Sequence, residues 1–179
     1  ISVKYLKEQI INYFGDGSSK GIKITYIEEE EPLGTIGALS KINAIVNKTL
    51  LVMNADLLTD LNFESFYRDF VFSKSKMSML SIPYNVNIPY AVLESEEKKV
   101  KSFIEKPTYT YYSNGGIYLL SFSVKNKIPN DTFYNATDLM EELIQEKTLS
   151  HYTHKGYWLD IGKPKDFDQS QYDIKKLNL

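Results

Sequence analysis

The sequence predicts an α/β fold in which helices cover both faces of a mixed sheet. Short apolar runs typical of buried strands, such as 50–53 and 117–120, alternate along the chain with segments of helical periodicity. One pair of strand-like segments, 90–93 and 100–104, is separated by a polar turn and predicts an antiparallel hairpin. Alternating strands and helices with one hairpin favour a mixed sheet between two layers of helices.

The composition is that of a globular protein without a basic surface. The chain has 179 residues, of which 42% are apolar and 25% are charged, so it can bury a core and should not be disordered. Its net charge of −2 gives no footprint for nucleic acid. It contains no cysteine and no apolar run near 18 residues, so neither a thiolate metal site nor a membrane span is expected. These features predict a cytoplasmic protein.

The N-terminal third predicts a helix and then a strand. Apolar residues recur every three or four positions from Val3 to Tyr13, which is typical of an amphipathic helix facing a sheet, and Gly15 would end it. Apolar and polar residues then alternate over 22–26, which predicts a short strand. The acidic run 28–31 would form a solvated turn.

The central third predicts two further helices and two strands. Residues 35–46 read as a helix that leads into the strand at 50–53. Asn62 would cap the next helix, which carries four aromatic residues on one side that we assign to the core. A strand at 77–82 returns from it before the hairpin.

The C-terminal third continues the alternation. After the strand at 117–120, a helix is predicted over 136–147, and Pro164 can open a last helix at its first turn. His151 and His154 lie three positions apart in a predicted strand. Their side chains would point to opposite faces, so they are not expected to form a metal pair.

Two acidic side chains lie where strand-like runs stop. Asp56 follows the run 50–53, and Asp160 follows the run 157–159. In open α/β sheets, ligands bind outside the carboxyl ends of the strands, and carboxylates there could hold a metal together with a phosphate. The alternative for each residue is a turn or helix-capping role.

Five segments occur in an order that resembles a known family: Glu-Pro-Leu-Gly-Thr-Ile-Gly-Ala-Leu at 31–39, Asn-Ala-Asp at 54–56, Glu-Lys-Pro at 105–107, Asn-Gly-Gly-Ile-Tyr at 114–118 and Trp-Leu-Asp-Ile-Gly at 158–162. They resemble the motifs of the sugar-1-phosphate nucleotidyltransferases, including the mannose-1-phosphate guanylyltransferase-like group. The resemblance covers essentially the whole chain. It implies a Rossmann-like, GT-A-like nucleotidyltransferase domain over residues 1–179.

The resemblance implies a transfer reaction and its catalytic residues. A sugar 1-phosphate would attack the α-phosphorus of a nucleoside triphosphate, giving an NDP-sugar and pyrophosphate. Asp56 and Asp160 match the family's magnesium-binding aspartates, which makes Mg²⁺ the expected cofactor, and Lys106 matches the lysine that binds the sugar phosphate. The nucleophile is already an anionic phosphate oxygen, so the chemistry needs cations rather than a general base. The alternative for Lys106 is an ordinary surface lysine.

The resemblance also implies substrate contacts. Gly34 and Thr35 match the part that approaches the base and ribose, where a following helix would offer free N–H groups. Glu105 matches a residue that accepts hydrogen bonds from sugar hydroxyls, and Asn114 and Gly115 match a strand entrance next to the sugar. Each position also has a plain structural explanation, namely a loop before a helix, a solvent-facing glutamate or a glycine bulge.

The family's Gly-rich signature loop would precede Ile1. The chain does not start with Met, and the resemblance implies that the first strand and the signature loop lie outside it, so we expect the isolated chain to be inactive. The missing strand would leave the strands at 22–27 and 50–53 without a neighbour. We expect these two strands to pair directly, or the chain to associate with a second copy or with a complementing N-terminal fragment.

Two other functions remain open at this point. One is a non-catalytic module that binds a nucleotide-sugar for regulation, and the other is a metal-dependent glycosyltransferase. Release of pyrophosphate would distinguish the transferase that makes an NDP-sugar from both.

Overall fold

The computed structural model describes residues 1–42 and 48–177 and shows an α/β fold, as the sequence predicts. Its helices and strands are, in chain order, β1 (Ser2–Val3), α1 (Lys7–Phe14), β2 (Ile27–Glu28), β3 (Thr49–Met53), β4 (Leu57–Thr59), α2 (Phe63–Ser73), β5 (Met77–Asn87), β6 (Val92–Glu96), β7 (Lys99–Ile104), β8 (Thr108–Ser121), α3 (Ala136–Gln145), β9 (Leu149–Thr153), β10 (Trp158–Asp160) and α4 (Pro164–Asp173). Short 3₁₀ helices lie at Ser18–Lys20, Gly37–Lys41 and Phe122–Lys127.

The strands form several small sheets and one larger one. β1 and β2 form a parallel pair, β4 and β10 form an antiparallel pair, and β6 and β7 form the expected antiparallel hairpin. A four-stranded sheet has the order β3-β8-β5-β9. No helix among the described residues has the length and apolar character needed to cross a membrane.

The chain divides into two compact units. The first unit consists of Ile1–Val52, Lys74–Met77 and Leu119–Leu149, and the second consists of Met53–Ser73, Ser78–Tyr118 and Ser150–Leu179.

Helix α2 belongs to the second unit and starts as predicted. The Asn62 side chain accepts a hydrogen bond from the Ser65 N–H at 2.8 Å, which caps the first turn. Phe66 and Phe70 are buried, whereas Phe63 is 41% and Tyr67 is 47% exposed. Two of the four aromatic residues on this side of α2 therefore contribute to the core and two face solvent. The assignment of all four to the core is wrong for Phe63 and Tyr67.

Helix α3 supplies much of the core of the first unit. Asn135 and Asp138 form a reciprocal capping box at its start. Leu139 and Leu143, one turn apart, are fully buried, as the helical spacing predicts.

The strand predicted at 22–26 is wrong, and the pairing of the surrounding main chain explains why. The Ile24 N–H donates to Asp16 O at 2.8 Å and the Ile22 N–H to Gly17 O at 3.2 Å, so these residues bond to the turn after α1 instead of to a strand. A strand forms instead directly after the predicted segment, at Ile27–Glu28.

The acidic run is mostly exposed, as predicted, and its carboxylates also make local contacts. Glu28 forms an ion pair with Lys7 at 2.6 Å, and Glu31 forms one with Lys4 at 3.2 Å. The Glu29 carboxylate accepts the Leu33 N–H at 2.8 Å. The run therefore connects the N-terminal segment to the turn that follows β2.

Helix α1 does not bury an apolar face in the described structure. None of its residues is buried, and the side chains of Leu6 and Tyr13 are 46% and 75% exposed. The expectation that this helix packs against a sheet is therefore wrong for the described residues.

The helix predicted at 35–46 is replaced, in its described part, by the 3₁₀ helix at Gly37–Lys41. Its bonds span three residues, as in Leu39 N–H to Ile36 O at 3.0 Å, and the Ser40 hydroxyl donates to Gly37 O at 2.7 Å. A hydroxyl that bonds to a nearby carbonyl competes with α-helical pairing. Residues 43–46 of this prediction lie outside the described residues.

The strands on either side of the expected gap do not pair with each other. β2 has β1 as its described partner, and β3 is an end strand of the four-stranded sheet. Leu51 and Met53 on β3 are 48% and 44% exposed. The direct pairing that we considered is therefore not the arrangement of the described residues.

Candidate active site

Asp56 and Asp160 lie at the same end of a short ladder in the second unit. In the β4–β10 register, Asp160 is opposite Leu57, the residue after Asp56. The Ile161 N–H donates to Asp56 O at 2.8 Å and closes this end. Both aspartates are exposed. β4 was missed in the sequence because three residues are too few to give a periodic signal.

The end of β3 is brought close to β8 at a glycine. The Asn54 N–H donates to Gly116 O at 2.9 Å. Gly116 has a φ of 70°, and a Cβ on it would lie 2.9 Å from Asn54 Nδ2 and 3.2 Å from a methyl carbon of Leu57. Only a residue without a Cβ fits both the space and the left-handed backbone. Asn54 and Gly116 are thus structural parts of the site that the sequence reasoning did not single out.

Asn114 is held in place by two hydrogen bonds. Its Oδ1 accepts the Gly116 N–H at 3.0 Å, and its Nδ2 donates to the Tyr118 hydroxyl at 2.9 Å. Burial raises the pKa of Tyr118, which the hydrogen bond from Asn114 partly offsets. The exposed amide keeps one N–H and further acceptor capacity.

Gly115 lies in a tightly packed position. It is buried, and a Cβ on it would come within 3.1 Å of Leu80. Its carbonyl accepts the indole N–H of Trp158 at 2.9 Å. The Trp158 bond therefore attaches β10 to this part of β8.

Glu105 and Lys106 follow β7, and both are exposed. Lys106 has a φ of 44°, although the residue before a proline normally adopts an extended conformation. The left-handed region costs a residue with a Cβ about 1–2 kcal/mol, and such strain concentrates at functional sites. Pro107 is buried and accepts the Ile88 N–H at 3.0 Å, which anchors the bend. No carboxylate of the described residues pairs with Lys106, so its ammonium is available.

Gly34 and Thr35 lie in the first unit, against the start of α3. Gly34 has a φ of 72°, and a Cβ on it would lie 2.7 Å from Tyr134 O. The Thr35 hydroxyl accepts the Ala136 N–H at 2.8 Å, and the Thr35 N–H donates to Asn135 Oδ1 at 3.3 Å. The N–H groups of Ile36 and Gly37 donate to Tyr134 O at 3.2 and 3.1 Å. The expectation of free N–H groups in this turn is therefore wrong.

The two histidines have separate partners in the second unit. His151 Nδ1 lies 2.8 Å from the Ser81 hydroxyl, and His154 Nε2 lies 3.0 Å from Asp60 Oδ1. The sequence contains no signal for Asp60, because its contact with His154 joins residues 94 positions apart.

The donor set of the ladder end fits a magnesium ion that is shared with a phosphate. Within the described ranges, no group of three or more His, Cys, Asp or Glu residues forms a metal cage. Asp56 and Asp160 are both exposed, and their main chains lie at the same end of the ladder. Mg²⁺ is usually held by one or two carboxylates, with substrate phosphates and water as the other ligands.

The family comparison gives the class of protein. The profile of the Nucleotidyl transferase family matches residues 1–176. The chain therefore belongs to the nucleotidyl transferase family, and the resemblance drawn from the five motifs is confirmed.

Two individual relatives are similar to nearly the whole of this chain. The chain is 31% identical to a protein named "Probable mannose-1-phosphate guanylyltransferase 1" from Oryza sativa subsp. japonica, over 93% of this chain and 49% of the relative. It is 25% identical to the D-glycero-alpha-D-manno-heptose 1-phosphate guanylyltransferase of Aneurinibacillus thermoaerophilus, over 98% of this chain and 77% of that protein.

A solved structure agrees with the fold. The crystal structure of HddC from Yersinia pseudotuberculosis superposes with a TM-score of 0.69 at 25% identity, covering 97% of this chain and 76% of that one. The chain spans about half the length of the curated relatives named as mannose-1-phosphate guanylyltransferases in rice and Arabidopsis thaliana, 49% and 52%.

Proposed function

We propose that the protein carrying this chain transfers a nucleotidyl group from a nucleoside triphosphate to a sugar 1-phosphate and releases pyrophosphate. The observation that carries this proposal is the position of Asp56 and Asp160 at one end of the β4–β10 ladder. Relatives named as guanylyltransferases of mannose 1-phosphate and heptose 1-phosphate support GTP and a manno-configured sugar 1-phosphate as substrates.

Asp56 and Asp160 would hold the divalent metal, which we propose to be Mg²⁺. A divalent ion held by these carboxylates would supply positive charge that offsets the repulsion between the two anionic substrates. The protein itself fixes the main chain of Asp56, because the Ile161 N–H donates to Asp56 O where β10 ends.

Lys106 would bind the phosphate of the sugar 1-phosphate. Its ammonium is exposed and has no carboxylate partner among the described residues, and a compact cation suits a phosphate group. The backbone of Lys106 is in the left-handed region, and the hydrogen bond from the Ile88 N–H to Pro107 O holds the bend there.

The remaining contacts are proposals of the same kind. Glu105 would accept hydrogen bonds from sugar hydroxyls, and the Asn114 amide and the backbone at Gly115 would line the sugar. Gly34 and Thr35 would approach the nucleotide. The Thr35 N–H is already bonded to Asn135 Oδ1, whereas its hydroxyl accepts the Ala136 N–H and keeps its O–H as a donor, which supports a hydroxyl role for Thr35.

The decisive experiment measures pyrophosphate release. The complete protein, incubated with GTP, mannose 1-phosphate and Mg²⁺, should release pyrophosphate, and EDTA should stop the release. Sugar transfer from GDP-mannose to an acceptor without pyrophosphate would support a glycosyltransferase instead. Binding of GDP-mannose with no turnover would support a regulatory module.

Cell fractionation would test the cytoplasmic location. Light scattering would test the association with a second copy or an N-terminal fragment.

A further inference from the structure

A second polar cluster lies at the far end of the β4–β10 ladder from Asp56 and Asp160. Its centre is Asp60, whose Oδ1 accepts the Tyr157 N–H at 2.8 Å and lies 3.0 Å from His154 Nε2. The Asp60 N–H in turn donates to Tyr157 O at 3.2 Å. Both the side chain and the main chain of Asp60 therefore hold the residue that precedes β10.

His154 is buried in this cluster next to a carboxylate, a carbonyl and a hydroxyl. Its side chain is almost fully enclosed, and Nε2 also lies 3.1 Å from Tyr157 O and 3.4 Å from the Thr59 hydroxyl. A carbonyl and a carboxylate only accept, so Nε2 bonds to them in the tautomer that carries its proton there. The His154 N–H donates to Ser81 O at 2.9 Å, which attaches the cluster to β5.

Thr59 and Gly156 complete what we call the Asp60 cluster: Thr59, Asp60, His154, Gly156 and Tyr157. The Thr59 hydroxyl donates to Tyr157 O at 2.9 Å. A Cβ on Gly156 would collide with the Asp60 carboxylate and would lie 2.7 Å from His154 Cε1. The close approach of Asp60 to His154 therefore depends on glycine at position 156.

The ladder between the two ends is too short to fix its own register. It consists of three residue pairs, from Trp158 opposite Thr59 to Asp160 opposite Leu57, which is a length of about 10 Å. A slip of one residue would turn every side chain of β10 to the other face, including Asp160. The contacts at the ends of the ladder therefore hold the register together with the bond from the Trp158 indole to Gly115 O.

We infer that Asp60 and His154 are positioning residues that fix β10 against β4 and thereby place Asp160 beside Asp56. Neither residue touches the substrate in this role. The inference rests on the proposed function, which gives Asp160 its task as a metal ligand.

The register can be measured without any activity. In the complete protein, the Ile161 amide reports on the active end of the ladder, because it donates to Asp56 O. Asp60→Ala should speed hydrogen exchange at this amide on the order of tenfold, the effect of losing a charge-assisted bond. Asp60→Asn keeps an acceptor for the Tyr157 N–H and should restore most of the protection. Asp173→Ala is the control, because it removes the acceptor of the Tyr157 hydroxyl, at 2.6 Å, and of Gln169 Nε2, at 2.8 Å, but leaves the bonds between Asp60 and Tyr157 intact.

The kinetic test separates positioning from general stability. Asp60→Ala should raise the Mg²⁺ concentration needed for half-maximal rate on the order of tenfold, while the KM for sugar 1-phosphate stays within about twofold. Asp173→Ala should change neither value. If Asp60→Ala fails to fold, His154→Gln, which alters the contact to Asp60 Oδ1, gives the same comparison with a smaller effect.

The two proposals fail in different ways. Unchanged exchange at the Ile161 amide in folded Asp60→Ala, or in His154→Gln if Asp60→Ala does not fold, would overturn the register inference, whatever the enzyme does. Absence of pyrophosphate release by the unmodified protein would overturn the proposed function, while faster exchange at Ile161 would still support the role of Asp60 in register. If Asp60→Ala raises the KM for sugar 1-phosphate and the Mg²⁺ requirement by the same factor, Asp60 stabilises the fold in general and has no specific role in the register.

Discussion

The Ile161 N–H donates to the carbonyl oxygen of Asp56 at 2.8 Å, so the residue after one candidate metal ligand is bonded to the other ligand's main chain. This bond closes the β4–β10 ladder on the side of both carboxylates. A rigid main chain is the way in which a protein holds charged groups for a reaction without reorganisation at the moment of transfer. The main chains at Asp56 and Asp160 are therefore held together at this end of the ladder.

The first prediction concerns Asp160. Asp160→Asn keeps the size of the side chain and removes its charge, so turnover of the complete protein should fall on the order of a hundredfold or more. The measurement is pyrophosphate release at saturating Mg²⁺. Asp168→Asn, an exposed position on α4, is the control and should leave the rate unchanged. A rate equal to that of the unmodified protein would assign Asp160 to a turn or capping role.

The second prediction concerns Lys106. Lys106→Ala should raise the KM for sugar 1-phosphate much more than the KM for the nucleotide, because its ammonium would bind only the first substrate. Lys106→Arg should rescue the KM incompletely, since a planar guanidinium presents its donors differently from a compact ammonium. Lys98→Ala, in the exposed turn of the same hairpin, is the control. Equal effects on both substrates would contradict the assignment.

Local signals in the sequence predicted the elements that depend on neighbouring residues. The Asn62 cap, the β6–β7 hairpin, the Pro164 start of α4 and the buried leucines of α3 all depend on contacts within a few positions. The apolar runs also predicted where strands stop near the two aspartates: Asp56 lies in the turn between β3 and β4, and Asp160 is the last residue of β10.

Long-range contacts explain what the sequence did not predict. Thr35 caps α3 about a hundred positions away, as its hydroxyl accepts the Ala136 N–H, and no local pattern encodes that partner. Ile24 bonds back to Asp16 and so leaves the strand that its alternating neighbours favour. The Asp60 and His154 contact likewise forms only when β4 and β10 pair. Tertiary context overrides local preference at each of these positions.

The third prediction concerns a buried hydroxyl without a partner. Among the described residues, Ser78 Oγ on β5 is buried and makes no hydrogen bond, whereas Ser81 Oγ on the same strand lies 2.8 Å from His151 Nδ1. Ser78→Ala removes an unsatisfied polar group and should leave the free energy of unfolding unchanged or raise it by about 1 kcal/mol. Ser81→Ala should lower it by about 1 kcal/mol. Urea unfolding measures both, and a larger loss for Ser78→Ala would reveal a partner for its hydroxyl.

The fourth prediction concerns pH. Hydrogen bonds from Lys127 and then Lys76 lower the pKa of Glu146 from 4.5 to about 2. A carboxylate with a lowered folded-state pKa stabilises the protein above its unfolded pKa, and this contribution disappears as the pH falls through the folded value. Glu146→Gln should therefore lower the Tm at pH 7, and the difference should shrink between pH 4.5 and about 2. Glu64→Gln, which removes a surface pair with Arg68, is the control and should have a small effect. A Glu146→Gln difference that stays constant over this range would contradict the linkage.

The fifth prediction uses two glycines close to the candidate ligands. A Cβ on Gly116 would lie 2.9 Å from Asn54 Nδ2, and its φ of 70° strains any other residue, so Gly116→Ala should lower the free energy of unfolding by about 1–2 kcal/mol. It should also lower turnover, because Asn54 must move and lies two positions before Asp56. Gly162→Ala is the matched control: its Cβ would meet Asp160 Oδ1 only at 3.8 Å, an ordinary contact. Urea unfolding and pyrophosphate release, measured on both variants, separate the two outcomes. Equal stability and activity for Gly116→Ala would show that β8 relaxes without disturbing Asn54, and the close approach at Gly116 would then have no part in placing Asp56.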